Sequence, residues 1–117
     1  MTAVQTTSGR HRLANDVVAT INEFDQKRLD EMGGWQPLAD LSGRTQFEAI
    51  DGDPDSVVFV DENRFQAIAT VYVILVYGSG NDEDTMSDEY VATIQGHRDA
   101  GGIVIDSIEV DTTPFYE

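Results

Sequence analysis

The stretch from Arg64 to Tyr77 constrains the fold more than any other part of the chain. It reads RFQAIATVYVILVY. Phe65, Ala67, Ala69, Val71, Val73, Leu75 and Tyr77 fill one set of alternate positions. Ile68, Thr70, Tyr72, Ile74 and Val76 belong to the other. Alternation with period 2, in β-branched and aromatic residues, is the pattern of a strand. Over its second half both sets are apolar. Such a strand sits centrally in a sheet or is covered twice, which predicts burial of Val71, Val73 and Leu75 on one face and of Ile74 and Val76 on the other. The apolar run from Ala67 to Tyr77 is too short for a membrane helix, which needs about 20 apolar residues.

The other segments are read around this strand. Residues 11–32 predict one amphipathic helix. Leu13, Val17, Val18, Ile21, Phe24, Leu29 and Met32 share a side, and Gly33-Gly34 stops it. Residues 35–43 form a connection holding Pro37. Arg44 to Ile50 predicts a strand, with Phe47 and Ala49 on one face. The turn DGDPDS follows, then a strand at Ser56 to Val60. The short link Asp61-Glu62-Asn63 predicts an antiparallel hairpin between that strand and the long one.

Beyond Tyr77 the sequence GSGNDEDTM reads as an acidic loop. Ser87 then looks like a helix cap, with Asp88 and Glu89 in the first turn. Tyr90, Val91, Ile94 and His97 suggest the buried side of a short helix ending near Arg98. Gly101-Gly102 leads to a last strand at 103–111, with Val104, Ile108 and Val110 on one face. The expected class is α+β: one mostly antiparallel sheet of about four strands, a long N-terminal helix, and a short helix before the last strand. Residues 11–117 form the single domain, behind a flexible N-terminal arm at 1–10.

Charge sets the solvent rather than the fold. The chain carries 14 Asp and 8 Glu against 6 Arg and a single Lys, for a net charge of −15. Molar salt shortens the Debye length to about 3 Å and screens such repulsion. An aspartate-rich, lysine-poor surface resembles haloarchaeal proteins, which implies a halophile or one of its viruses as the source. The charge is uneven: residues 1–40 hold four basic and six acidic groups, residues 41–117 three and sixteen. The first twelve residues hold Arg10 and Arg12 and no acid. This basic end is expected to make an oligomer contact, against a neighbour's carboxylates. No basic patch speaks for phosphate or general nucleic-acid binding. With no cysteine, disulfides and thiolate chemistry are excluded.

Asp51, Asp53, Asp55 and Glu62 stand at positions 1, 3, 5 and 12 of a calcium-loop spacing. Ser56 stands where that loop needs Gly, Pro54 stiffens it, and strands rather than helices flank it. The competing reading is a solvated turn in which Asp side chains bond their own backbone. No metal and no cofactor is therefore expected. The acidic cluster Asn81 to Asp84, with Asp88 and Glu89, reads as a solvated surface. His11 and His97 have no carboxylate at a recognisable spacing, and no catalytic constellation emerges.

The C-terminal third carries a resemblance. The strand TVYVILVYG, a polar loop, the segment SDEYVATIQGHRDA and the strand GGIVIDSIEVDTTPF together resemble the tail-terminator and tail-completion proteins of tailed viruses. The order of elements agrees over residues 11–111, and the detail over 64–111. The resemblance implies a non-enzymatic, ring-forming virion protein made in the host cytoplasm. Its partners would be copies of itself and other tail or neck proteins, with DNA passing without specific binding and no membrane involved. An alternative is a cytoplasmic cystatin-like or nuclear-transport-factor-like domain, a long helix wrapped by a curved sheet, which would bind a ligand or act as an enzyme. The expected second helix is out of place in that alternative. A third class, an acidic DNA mimic, would suit the charge.

Overall fold

The computed structural model describes residues 2–78 and 80–116, with side chains from Arg12 onward. Helix α1 spans Thr2–Asn22. Its buried residues Val17 and Ile21 lie one turn apart on a single face. The helix expected over 11–32 is in fact two, because the chain breaks at residues 23–25. Phe24 turns inward there to 6% exposure. Asp25 takes an extended conformation and its carboxylate accepts the Arg28 N–H at 2.9 Å, starting α2 at Gln26–Glu31. Gly33, at φ +80°, lets the Gly34 N–H reach back to the Leu29 carbonyl at 2.8 Å. A one-turn helix, α3 at Gln36–Ala39, begins with Pro37 in its first turn and buries Leu38.

The strands are β1 Arg44–Gly52, β2 Val58–Phe59, β3 Arg64–Tyr77, β4 Asp84–Asp99 and β5 Gly102–Val110, followed by a last helical turn, α4 at Thr113–Tyr116. They form one antiparallel sheet in the order β1-β3-β4-β5, with β2 also paired to β3. The expected hairpin is present, with Phe59 opposite Phe65 and Val58 opposite Gln66. The fold class is α+β, as the sequence predicts.

All three leading helices lie on one face of the sheet. Val17, Ile21, Phe24, Leu29, Trp35, Leu38 and Leu41 join a single core with Phe65, Ala67, Ala69, Val71, Val73 and Leu75 of β3. Ala67 and Ala69 are small members of this core, and Gly52 lies under Val18 and Ile21. The opposite set of β3 residues divides. Val76 is buried at 3%, while Ile68, Tyr72 and Ile74 are half-buried and stand outside that core. The expected full burial of Ile74 does not occur, because no helix of the described residues packs on its side.

Two readings of face and element are corrected. A bulge at Glu48 shifts the register between Phe47 and Ala49, so Ala49 is exposed and Ile50 enters the core instead. The short helix expected at 87–98 is strand β4, paired residue for residue with β3 from Tyr77–Asp84 to Arg64–His97. Its buried residues Tyr90, Ala92, Ile94 and Gly96 alternate. Val91, assigned to the buried side of that helix, is 52% exposed.

Gly96 is fixed by packing. A Cβ there would meet the Val104 carbonyl oxygen and lie 2.6 Å from the Phe65 ring. Phe65 is 2% exposed and packs against Phe59, so neither neighbour has space to retreat. Gly96→Ala is expected to destabilise the fold by about 1–3 kcal/mol, the usual cost of overpacking. Urea unfolding would measure it, and a variant within about 0.5 kcal/mol of wild type, the range of neutral surface changes, would contradict this packing.

Candidate functional site

The helix-free face of the sheet is the first candidate. Register places Thr70 beside Val91 and Asp51, Tyr72 beside Glu89 and Ala49, Ile74 beside Ser87 and Gln46, and Ile68 beside Thr93. An apolar ribbon thus runs along β3 and onto Val91. Asp51 and Glu89 flank it, and Glu109 lies beyond Thr93 on β5. An apolar centre inside a polar rim is the usual anatomy of a protein interface.

The second candidate is a cleft of about 430 Å³ between α1 and the β4–β5 turn. Leu13, Asp16, Asn63, Arg98, Asp99 and Ile103 line it. The Asn63 carbonyl accepts the Arg98 backbone N–H at 2.7 Å. The Arg98 Nε is buried and has no hydrogen-bond partner among the described residues. Arg98 lines this cleft together with Asp16 and Asp99, so both signs of charge meet there, as a small ligand carrying an anionic and a cationic group would need.

The sequence-derived calcium candidates do not converge. Asp51 is on the open face of β1 opposite Thr70. Asp53 accepts the Asp55 N–H at 2.9 Å and begins a 3-10 turn at Pro54–Ser56. That is the backbone-bonded turn of the competing reading. Glu62 lies in the link before β3. Among the described residues no group of three or more His, Cys, Asp or Glu side chains is placed to hold a metal ion. Arg12 is exposed on α1, and the side chain of Arg10 lies outside the described residues, as does that of His11.

Three carboxylate contacts escaped the sequence reading. Asp61 accepts the Asn63 and Arg64 N–H groups at 2.9 and 2.8 Å and pairs with the Arg64 Nε at 2.7 Å. The Arg64 side-chain bond, followed by the two backbone bonds, holds its carboxyl down at about 2. The Tyr90 hydroxyl donates to Asp88 at 2.7 Å, and burial, then this bond, pushes its ionisation up. His97 Nδ1 lies 2.8 Å from Asp106 Oδ2. The signal for this last pair is hairpin register. His97 sits opposite Val104, and a bulge beside Gly96 swings Asp106 toward it.

The Asp106 bond raises the His97 pKa above 6.5, aided by the nearby charges of Asp106 and Asp99 and opposed by desolvation. A raised folded-state value has a definite sign. The pair's contribution to stability is complete below the ordinary histidine value near 6.5 and is lost as pH rises through the raised one. NMR titration of the His97 ring is expected to show a midpoint above 6.5 that falls in Asp106→Asn. An unshifted midpoint in that variant would remove Asp106 as the cause.

No helix of the described residues is long and apolar enough to cross a membrane. Compared with known proteins, the chain matches no family model, no curated sequence and no solved structure.

Proposed function

We propose that this chain is a non-catalytic structural subunit that assembles with copies of itself through the open face of its sheet. The observation that carries the reading is the apolar ribbon of Ile68, Tyr72, Ile74 and Val91, which stands outside the core that the described helices cover. A central strand apolar on both faces gains by a second cover. The acidic rim opposes that contact at low salt, and molar salt relieves it, since screening then acts within about 3 Å. The apolar contact itself does not depend on that charge. The basic first twelve residues add a complementary surface for the acidic body of a neighbour. In a closed ring this head-to-tail contact would recur at every interface.

The setting proposed for such a subunit is the neck or tail of a tailed virus of a halophilic host, as a ring-forming tail-terminator or tail-completion protein through which DNA passes unbound. The resemblance behind this setting now rests on fewer elements, because its helix at 87–98 is a strand. That same strand favours a second reading, a cystatin-like or nuclear-transport-factor-like binding domain. The helix that stood against it is gone, and the Arg98 cleft gives it a site.

Light scattering in molar KCl tests the first reading. Wild type is expected as a symmetric oligomer, and Val91→Asp with Ile74→Asp as a folded monomer with unchanged circular dichroism. A wild-type monomer at every salt and protein concentration would defeat self-assembly and leave the binding-domain reading. Amino acids and betaines are the probes for that cleft, with Arg98→Gln as control.

A further inference from the structure

Strand β5 covers only part of β4. Their pairing begins at Ala92 and ends at Asp99. From Asp84 to Tyr90 no strand of the described residues lies on the outer side of β4. Two backbone bonds fix which groups face outward there. The Val91 carbonyl accepts the Asp111 N–H on the β5 side, and the Arg98 N–H donates to Asn63 on the β3 side. In an antiparallel strand both backbone groups of a residue point the same way, and successive residues alternate. Residues 85, 87 and 89 therefore face outward, and 84, 86, 88 and 90 face β3.

The outward donors are not all free. The Thr85 N–H is bonded to Asp84 Oδ1 at 3.1 Å, and the Glu89 N–H to Asp88 Oδ1 at 2.8 Å. The other oxygen of Asp88 accepts the Tyr90 hydroxyl, which holds that carboxylate in place. Each carboxylate thus covers the outward donor of the residue after it. Between them lies Ser87, with the exposed apolar side chains of Met86 inside the segment and Val91 just beyond it, at 48% and 52% exposure.

We infer that β4 from Asp84 to Tyr90 is a docking strand for the same strand of a second copy, held closed by Asp84 and Asp88. The occupant follows from the register. Two antiparallel copies related by a two-fold axis at Ser87 set Thr85 against Glu89, Ser87 against Ser87 and Glu89 against Thr85. All of these are outward-facing positions, so every donor at the edge meets an acceptor. An unpaired strand edge is a template for such addition, and inserted charge is a common protection. Here the protection has two parts. Like charge from Asp84, Asp88 and Glu89 on both copies is screened in molar salt. The two carboxylate bonds to the backbone act at contact distance and remain. A chain living in molar salt keeps this edge shut by hydrogen bonding where repulsion alone would fail. This inference is separate from assembly through the open face: that contact uses the side chains of Ile74 and Val91, whereas edge pairing uses the outward backbone groups of Thr85, Ser87 and Glu89.

The test separates hydrogen bonding from charge, with mass measured by light scattering in molar KCl. Asp84→Asn with Asp88→Asn removes charge but keeps an acceptor oxygen, and is expected to keep the wild-type mass. Asp84→Ala with Asp88→Ala removes both, and is expected to form a species of twice that mass. Adding Ser87→Pro to the Ala pair removes an outward N–H that β3 does not use, and should restore the wild-type mass. An Ala pair of wild-type mass overturns the inference, as does added mass that Ser87→Pro leaves in place. Amide exchange in unaltered protein provides a check free of folding effects. Thr85 and Glu89 should exchange more slowly than Ser87, and equal rates at the three positions would also overturn it.

Discussion

Leu75→Ala is expected to lower stability by about 2–5 kcal/mol, the range for truncating a fully buried leucine. Leu75 is 0% exposed and sits opposite Thr45 and Met86 at the end of the core. The Thr45 hydroxyl donates to the Leu38 carbonyl at 2.8 Å, tying α3 over that part of the sheet. The cavity left by the lost methyls would have poor means to close, since the neighbouring backbone is fixed from two sides. Ile74 makes the informative comparison. It is the next residue of the same strand, with a side chain of equal size, but it is half-buried on the open face. In monomeric protein Ile74→Ala is expected to cost less than Leu75→Ala, because less apolar area leaves water. Denaturant unfolding at fixed molar salt would measure both. Equal losses in a monomer would mean that the open face is covered after all. If the protein is an oligomer, the Ile74 effect should grow with protein concentration while the Leu75 effect does not.

The sequence made β3 legible because both of its faces carry a period-2 signal, and two strands then had to flank it. The β2–β3 hairpin was equally readable, since only a short acidic link separates the segments. Strand β4 was not. Tyr90, Val91 and Ile94 satisfy helical spacing, and Ser87-Asp88-Glu89 has the form of a helix start. Yet Tyr90, Ala92, Ile94 and Gly96 also alternate. The two periods compete over so short a window, and the long free edge of β3 decides between them through a continuous ladder. Gly96 was the available clue, since a glycine within a strand often marks a close approach, here of Phe65. The break at Phe24 was hidden for a related reason. Both halves present apolar residues to one core, and only the cap at Asp25 separates them.

The candidate sites were less legible still. The open face was visible as apolarity on both sides of β3, but which side the helices take is a tertiary choice. The calcium-like acids share a spacing without sharing a place, because a strand carries Asp51 away from the turn that holds Asp53. Guarding of the β4 edge needs knowledge of which backbone groups face outward. The sequence holds the two Asp residues four apart and nothing that tells an edge from a centre.

Lowering salt from molar to 0.1 M KCl is expected to destabilise the fold strongly. The net charge of −15 leaves little to offset the acids. The ion pairs Arg28–Glu31, Arg44–Glu83 and Arg64–Asp61 are all at the surface, where solvent screening leaves such pairs little stabilising effect. Two unit charges about 10 Å apart repel by about 0.4 kcal/mol in unscreened water. A Debye length of about 10 Å at 0.1 M leaves roughly a third of that, whereas about 3 Å at 1 M leaves almost none. Summed over some tens of like-charged neighbours this amounts to about 2–3 kcal/mol, reduced by whatever repulsion the unfolded chain retains. For a domain of this size such a loss lowers the melting temperature by about 10 °C. Thermal unfolding in a KCl series measures it, with residues 41–117 as the main source, since sixteen of the acids lie there. A melting temperature that stays constant across the series would mean that the charge is accommodated without salt, and the halophilic reading of the composition would fail with it. A fall at low salt that equimolar tetramethylammonium chloride prevents as well as KCl does would place the effect in screening, whereas rescue by potassium alone would point to specific cation binding by the carboxylates.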